Sequence, residues 1–116
     1  MNYTAIVDYG VGNLKSVTNA MGYLGLETRI TSDPGELDRS NAILLPGVGA
    51  FPDAAERLQA QGLDQLLRAQ AEKKPILGIC LGMQLLFDRG EEGRDCEGLR
   101  LVGGTVTRIP TGEKLP

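Results

Sequence analysis

Histidine is absent from the 116 residues of the chain, and only two cysteines are present. Zinc sites are built from clustered His and Cys ligands, so this composition leaves almost nothing from which to make one. Two cysteines are also too few for the disulfide framework of a small secreted domain. No apolar run approaches the roughly 20 residues that cross a bilayer. We therefore expect no metal site, no disulfide and no membrane-spanning segment.

A strong charge of either sign is lacking as well. The net charge is −3, and the charged residues are scattered along the sequence. This favours neither nucleic acid nor an anionic membrane as a partner. The first residues lack the basic start and apolar stretch of a signal peptide. With 41% hydrophobic residues, the chain is expected to be a single cytoplasmic domain, or part of one, over residues 1–116.

Short apolar, β-prone runs alternate with segments of helical periodicity. Strands are predicted over 3–8, 27–31, 41–45 and 75–79, and helices over 13–24, 53–71 and 81–89. Gly62 is expected to break the second helix. This alternation predicts an α/β fold with three layers, in which helices cover both faces of a mainly parallel sheet.

Three details of this assignment rest on local signals. The first helix is expected to begin after an Asn13 cap and to bury one face made of Leu14, Val17, Met21 and Leu24. A turn is predicted at 32–35, where the sequence reads Ser-Asp-Pro-Gly. A hairpin is predicted from 99–102 and 105–109, joined through two glycines.

Three glycine-rich segments lie at the carboxyl ends of predicted strands, at 10–13, 46–49 and 78–82. In open parallel sheets, ligands bind beyond the carboxyl ends of the strands. The three segments are therefore expected to meet on one rim of the domain and to form a site there.

Cys80 lies within Gly78-Ile79-Cys80-Leu81-Gly82, between a predicted strand and a predicted helix. A sharp turn at this point would project the thiol off the sheet, beside the free N–H groups at the start of the helix. Those groups favour the thiolate and stabilise an oxyanion on a substrate carbonyl. A buried structural cysteine is the alternative interpretation. Cys96, which lies in a polar run, has none of these features.

The segment 78–84, which ends with Gln84, resembles the nucleophile motif of the class I (triad) glutamine amidotransferases. The segment 46–51 resembles their oxyanion strand. The segment 8–14 is similar to that of one branch, the glutaminase subunits of imidazole glycerol phosphate synthase in histidine biosynthesis. The resemblance covers essentially all of the chain and implies the flavodoxin-like fold of this family, incomplete at the C-terminus.

The resemblance implies a role for several residues. Cys80 would attack L-glutamine and form a γ-glutamyl thioester, and no cofactor would be needed. The backbone of Leu81 and of the glycine loop would form the oxyanion hole, and Gln84 and Glu92 would bind the ends of glutamine. The glycine loop consists of Gly47, Val48 and Gly49.

A second set of residues would face a cyclase subunit, which receives the ammonia in a heterodimer. This set consists of Gly10, Gly12 and Asn13. Plainer interpretations stay open for the implied residues: Gln84 as a solvated helix residue, Glu92 as part of an acidic loop and Asn13 as an ordinary helix cap. The two loop glycines could also serve backbone geometry alone.

The catalytic His and Glu of the family triad have no counterpart, because the chain has no histidine. In the family these residues lie far downstream of the nucleophile, and 114–116 resembles the place where a His-containing motif begins. We therefore expect the N-terminal part of a protein of roughly 200 residues, with little or no turnover by this part alone. The alternatives are another class I glutaminase, of a purine or pyridoxal pathway, and a non-catalytic thiol-bearing relative of the same fold.

Overall fold

The structure is a computed structural model that describes residues 2–109 of the chain. The residues implicated at 114–116 lie outside this part. Within residues 2–109, the elements are β1 (Thr4–Val7), α1 (Leu14–Tyr23), β2 (Thr28–Thr31), α2 (Pro34–Arg39), β3 (Ala42–Leu45), α3 (Phe51–Ala60), α4 (Leu63–Ala71), β4 (Ile76–Gly78), α5 (Leu81–Gln84), β5 (Phe87–Gly90), β6 (Cys96–Glu97) and β7 (Val102–Val106).

The main sheet has four parallel strands in the order β2-β1-β3-β4. Crossovers between parallel strands are right-handed, so the connection from β1 to β2 places α1 on one face. The connections that lead in the other direction, to β3 and β4, place α2, α3 and α4 on the opposite face. The predicted α/β fold, with helices on both faces of a mainly parallel sheet, is confirmed.

Alternation along the strands divides the core between the two faces. Ala5 and Val7 of β1 belong to one cluster of buried residues with Phe51 of α3 and Leu67 of α4. Ile6, between them in sequence, is fully buried but lies outside that cluster. The sheet therefore buries apolar side chains on both faces, each contributing about 1.5–3 kcal/mol.

The first helix has the predicted bounds but not the predicted burial. The Asn13 side chain accepts a hydrogen bond from the Ser16 N–H and so caps α1. Val17 and Met21 are only half-buried, and Leu24 is 68% exposed. The expectation of a buried face on this helix was therefore wrong, because one helix over a four-stranded sheet leaves part of its own apolar stripe uncovered.

The predicted turn at 32–35 is instead the start of a helix. Asp33 caps α2 by accepting a hydrogen bond from the Glu36 N–H, and Pro34 is its first residue. Asp followed by Pro favours a turn and a helix start alike, since both need the same local backbone. Leu37 of this helix is fully buried and belongs to the same core cluster as Ile43 and Leu45 of β3.

Lys74 fixes the end of α2 against the segment that leads into β4. Its ammonium group donates hydrogen bonds to the carbonyls of Leu37 (2.8 Å), Asp38 (2.6 Å) and Ser40 (2.7 Å). Cations near the last carbonyls of a helix satisfy groups that have no partner within the helix. Burial lowers the pKa of Lys74, and the negative charge of Asp38 partly offsets that shift.

The helix after Cys80 is shorter than expected, and the region beyond it is a small second sheet. The predicted helix 81–89 ends at Gln84, and Phe87–Gly90 is a strand. This strand pairs with Cys96–Glu97 antiparallel and with Val102–Val106 parallel. Pairing with distant strands outweighs the helical periodicity of 85–89, which is a weak local preference.

The predicted hairpin through Gly103 and Gly104 was also wrong. Both glycines lie inside β7, where the register with β5 shifts between Phe87 and Arg89. Extra residues at such a shift form a β-bulge, and glycine tolerates the backbone of a bulge. Gly104 has φ +132°. The glycine pair therefore marks a bulge rather than a turn.

Candidate active site

The three glycine-rich segments meet beyond the ends of β1, β3 and β4, as predicted. A Cβ added to Gly12 would lie 3.0 Å from the Cβ of Pro46, which directly follows β3. A Cβ added to Gly47 would lie 2.7 Å from the backbone nitrogen of Gly82. The first segment therefore contacts the second, and the second contacts the third.

Cys80 occupies a strained turn between β4 and α5. Its backbone angles are φ 56° and ψ −123°, which a residue with a side chain rarely adopts. Strain of this kind costs about 1–3 kcal/mol and is concentrated at functional sites. The Cys80 side chain is exposed, whereas structural cysteines are usually buried. The conformation agrees with the sharp turn expected for a nucleophile.

The glycines on either side of Cys80 are required by close packing. A Cβ on Gly82 would collide with the carbonyl of Leu45, and a Cβ on Gly78 would press on the backbone of Met83. Leu45 also accepts a hydrogen bond of 3.0 Å from the Ile79 N–H. The turn is therefore packed directly against the end of β3, and the packing leaves no room for side chains at 78 and 82.

The helix that follows Cys80 has only four residues, so few peptides are aligned and a helix dipole contributes little to the thiolate. The local N–H groups remain. The Gly82 N–H donates to the Ile79 carbonyl at 3.0 Å, and the Met83 N–H donates to the Cys80 carbonyl at 3.0 Å. The Leu81 N–H forms no hydrogen bond with any residue of 2–109, which leaves it available as a donor.

The glycine loop lies opposite this turn. Among the described residues, no acceptor contacts the N–H groups of Gly47, Val48 or Gly49. Gly49 has φ +93° with no atom within 4 Å of an added Cβ, and Val48 is 57% exposed. Val48 and Gly49 are therefore the open part of the loop, Gly47 is buried, and all three N–H groups lack an acceptor among the described residues.

An open depression of about 370 Å³ is lined by both the glycine loop and the Cys80 turn. Gln84, which is half-buried, and Glu92, which is exposed, lie along its wall. Its lining residues are Gly47, Val48, Gly49, Cys80, Leu81, Met83, Gln84 and Glu92. Every residue predicted for the nucleophile, the oxyanion hole and substrate binding is thus brought together, and Met83 is an addition that the sequence pattern did not single out.

The charge of this depression is negative. Of the residues that line it, Glu92 is the one ionisable group besides Cys80 itself. A carboxylate suits the α-ammonium group of an amino acid, and the side-chain amide of Gln84 offers both a donor and an acceptor. With no histidine in the chain, no imidazole base lies beside the Cys80 thiol.

The predicted partner-facing residues lie next to the depression rather than in it. The side chain of Asn13 caps α1, which agrees with its interpretation as an ordinary helix cap. The guanidinium of Arg57 covers Gly10, where an added Cβ would lie 2.6 Å from Nη1. Gly12 is in contact with Pro46, as described above. The segment thus borders Pro46, at the start of the glycine loop, without lining the depression.

Tyr9 is a residue that sequence reasoning passed over. It is 1% exposed, and its hydroxyl donates a hydrogen bond of 2.6 Å to the carbonyl of Pro46. Burial raises the pKa of Tyr9 to about 12. Its position two residues after β1 and directly before Gly10 is the only signal that the sequence offers, and a tyrosine there is equally typical of a simple core residue.

Within residues 2–109 the structure contains neither a cluster of metal-binding side chains nor a helix that could span a membrane. No group of three or more His, Cys, Asp or Glu side chains is placed to hold a metal ion. No helix in this part of the chain is long and apolar enough to cross a membrane. Cys80 and Cys96 are both free thiols.

Residues 5–109 match the sequence profile of the family described as glutamine amidotransferase class-I. A crystal structure of a glutamine amidotransferase superposes with a TM-score of 0.77 at 20% identity, over 95% of this chain and 59% of that chain. At this identity the structural likeness is one of fold.

Relatives at higher identity carry a more specific name. The chain is 50% identical to the imidazole glycerol phosphate synthase subunit HisH of Caldanaerobacter subterraneus subsp. tengcongensis, over 96% of this chain and 55% of the relative. It is 50% identical to the HisH subunit of Moorella thermoacetica, over 100% of this chain and 56% of the relative. For the HisH subunit of Bacillus cereus the identity is 49%, over 97% of this chain and 54% of the relative. The chain thus spans about half the length of the curated relatives that it matches.

Proposed function

The chain belongs to the class I glutamine amidotransferase family, and on this premise we propose that it carries the nucleophile half of a glutaminase. The proposed enzyme hydrolyses L-glutamine and delivers ammonia to the cyclase subunit of imidazole glycerol phosphate synthase, in histidine biosynthesis. One observation carries the proposal. The exposed thiol of Cys80, on a strained backbone, borders a depression that is also lined by backbone N–H groups without an acceptor and by the side chains of Gln84 and Glu92.

The proposed reaction begins when the Cys80 thiolate adds to the side-chain carbonyl carbon of glutamine. The negative charge that develops on the carbonyl oxygen would be met by the Leu81 N–H and by N–H groups of the glycine loop. The carbon–nitrogen bond then breaks, the nitrogen takes up a proton, and ammonia leaves. The γ-glutamyl thioester that remains is hydrolysed by water to glutamate, which restores the thiol.

Substrate binding in this proposal follows from charge. Glu92 would hold the α-ammonium group, and Gln84 would hydrogen-bond the α-carboxylate. The two side chains border the same depression as the Cys80 thiol. Glutamine is therefore favoured over substrates without an amino group.

Proton transfer is the step of the proposed reaction that the residues of this chain catalyse poorly. Departing ammonia needs an acid, and the thiol needs a base, which in comparable thiol enzymes is a histidine. Without histidine, we expect these residues by themselves to form the thioester slowly and to turn over little. A cytoplasmic setting is part of the proposal, since a reducing compartment keeps the Cys80 thiol free.

The proposed partner surface consists of the segment 10–13 together with the exposed loop residue Val48. This segment lies against Pro46, so the partner would sit directly beside the oxyanion loop. We expect a complex of one chain with one cyclase subunit, to be measured by sedimentation. Gly10→Glu should weaken this complex, because a side chain is strained at φ +89° and would displace the Arg57 guanidinium that covers this part of the segment.

A single-turnover experiment tests the glutaminase assignment. The chain is incubated with L-glutamine labelled in its carbon skeleton, quenched in acid and digested for mass spectrometry. We expect the labelled γ-glutamyl group on Cys80 and an equal amount of free ammonia, and neither in Cys80→Ala. A folded chain, as judged by circular dichroism, that leaves Cys80 unlabelled while ammonia accumulates would overturn the proposal.

A further inference from the structure

Tyr9 joins the end of β1 to the first peptide of the glycine loop. Its hydroxyl donates to the Pro46 carbonyl at 2.6 Å, across 37 positions of sequence. The Tyr9 carbonyl in turn accepts a hydrogen bond of 3.2 Å from the Gln61 side chain. With 1% exposure, the side chain has no freedom to turn toward water. The bond to Pro46 is therefore a fixed feature of the fold.

The Pro46 carbonyl and the Gly47 N–H belong to the same peptide group. A peptide group is planar, so a hydrogen bond that holds its carbonyl also sets the direction of its N–H, which points the opposite way. Pro46 adds rigidity, because its ring fixes φ. The Tyr9 hydroxyl thus sets the direction in which the Gly47 N–H points.

Close packing limits Gly47 further. A Cβ added there would lie 3.0 Å from the Tyr9 hydroxyl and 2.7 Å from the Gly82 nitrogen. Gly49 differs, since no atom lies within 4 Å of an added Cβ. The loop therefore has a first peptide that is fixed from behind by Tyr9 and a last residue that is unconstrained.

We propose that Tyr9 is a positioning residue for the oxyanion hole, acting through the Pro46–Gly47 peptide. This inference rests on the proposed glutaminase function. The hydroxyl itself touches no substrate. It holds a backbone donor in the direction that developing oxyanion charge requires, and preorganisation of this kind lowers the barrier of acyl transfer.

Tyr3 provides a matched control. Its hydroxyl also donates to a backbone carbonyl, that of Glu36, at 2.5 Å, and the residue is 5% exposed. Tyr3 and Tyr9 flank opposite ends of β1, so they are about 20 Å apart along the strand. Tyr3→Phe and Tyr9→Phe remove the same group from similar surroundings, but only the second removal reaches the glycine loop.

The experiment compares two alkylating agents on the wild-type chain and the two variants. The first is the chloroketone analogue of glutamine, whose carbonyl would occupy the oxyanion hole while the Cys80 thiolate displaces chloride to form a carbon–sulfur bond. The second is iodoacetamide, which reports on thiolate reactivity alone. Rates at Cys80 are followed by mass spectrometry, together with the melting temperature of each chain.

For Tyr9→Phe we expect the limiting rate with the chloroketone to fall about tenfold, less than the hundredfold typical for outright loss of a donor. The half-saturating concentration and the iodoacetamide rate should stay within twofold of wild type. Tyr3→Phe should leave all three unchanged even if its melting temperature falls as far. This separation of limiting rate from binding is one that a purely structural role would not produce.

Three outcomes would overturn the inference. The first is a wild-type limiting rate in Tyr9→Phe, and the second is an equal loss in Tyr3→Phe. In the third, the chloroketone and iodoacetamide rates of Tyr9→Phe fall together. A wild-type chain that shows no saturation with the chloroketone rejects the glutaminase proposal itself, and the role of Tyr9 with it.

Discussion

Gly12 packs against the ring of Pro46 so closely that an added Cβ would lie 3.0 Å from the Pro46 Cβ and 3.2 Å from its Cγ. Gly12 also has φ +118°, a conformation that residues with a side chain avoid. The contact joins the proposed partner-facing segment to the proposed oxyanion loop. A change in either segment is therefore felt by the other.

Gly12→Ala should disturb this contact and lower the rate at which the glutamine chloroketone labels Cys80. The matched control is Gly25→Ala, because Gly25 has φ +79° but no atom within 4 Å of an added Cβ. Both changes strain the backbone by about 1–2 kcal/mol, so both should lower the free energy of unfolding. Only Gly12→Ala should slow labelling, by about threefold or more. Equal labelling of the two variants would show that the contact carries no functional consequence.

Gly82→Ala should destabilise the chain by about 1–3 kcal/mol or more, the usual cost of forcing extra atoms into close packing. The reason is the collision of the new Cβ with the Leu45 carbonyl, a backbone atom at the end of a central strand that has little room to move. Gly103→Ala is the control, since no atom lies within 4 Å of its added Cβ. Urea unfolding of both variants measures the difference. A loss below about 0.5 kcal/mol in Gly82→Ala would contradict the packing described for the Cys80 turn.

The pKa of Tyr9 predicts how stability changes at high pH. Burial raises this pKa from 10.0 to about 12, so between these values the folded chain binds more protons than the unfolded chain. The free energy of unfolding should therefore fall as pH rises above 10, by about 1.4 kcal/mol for each unit, until the folded chain also loses the proton.

Tyr9→Phe isolates this contribution. Lys74, whose pKa is lowered by burial, acts in the opposite direction, because its deprotonation makes stability rise with pH. That contribution is present in both chains and cancels in the difference. Unfolding by urea from pH 9 to pH 12 should show a smaller fall in Tyr9→Phe than in wild type. Parallel curves would mean that Tyr9 is not shielded from water as described.

Much of the fold could be predicted from local sequence. The strands around Ile6, Leu44 and Leu77 are short apolar runs, and the helix start at Asn13 and the break at Gly62 are set by neighbouring residues alone. The convergence of glycine segments followed from a general property of parallel sheets. These features depend on neighbouring residues rather than on distant contacts, so they can be predicted from the sequence.

Three of the wrong predictions, the helix through 89, the hairpin and the buried face of α1, have a common physical cause. Residues 87–90 form a strand because partners at 96–97 and 102–106 pair with them, and the glycines of β7 accommodate a bulge that only this pairing creates. The half-burial of α1 depends on how much apolar surface its neighbours cover. Such outcomes are decided by contacts between distant segments, which periodicity does not reveal.

The candidate site divides in the same way. Cys80, Gln84 and the glycine loop could be identified because each belongs to a short motif. The role of the Tyr9 hydroxyl could not be identified from the sequence, because its acceptor is 37 positions away. A tyrosine after a strand can also be an ordinary core residue. The groups that require glycine at 78 and 82 were also hidden, because the Met83 backbone and the Leu45 carbonyl that a side chain would strike there are brought close only by the fold.

The central claim is that Cys80 is a nucleophile directed at glutamine, and competition labelling tests it most directly. The chain is treated with a substoichiometric amount of the glutamine chloroketone, with and without excess L-glutamine, and the adduct is mapped by mass spectrometry. Cys96, which is half-buried and also free, is the internal control. We predict an adduct on Cys80 in large excess over Cys96, which L-glutamine suppresses and L-glutamate suppresses less. Equal labelling of the two cysteines, or labelling of Cys80 that glutamine does not reduce, would contradict the account.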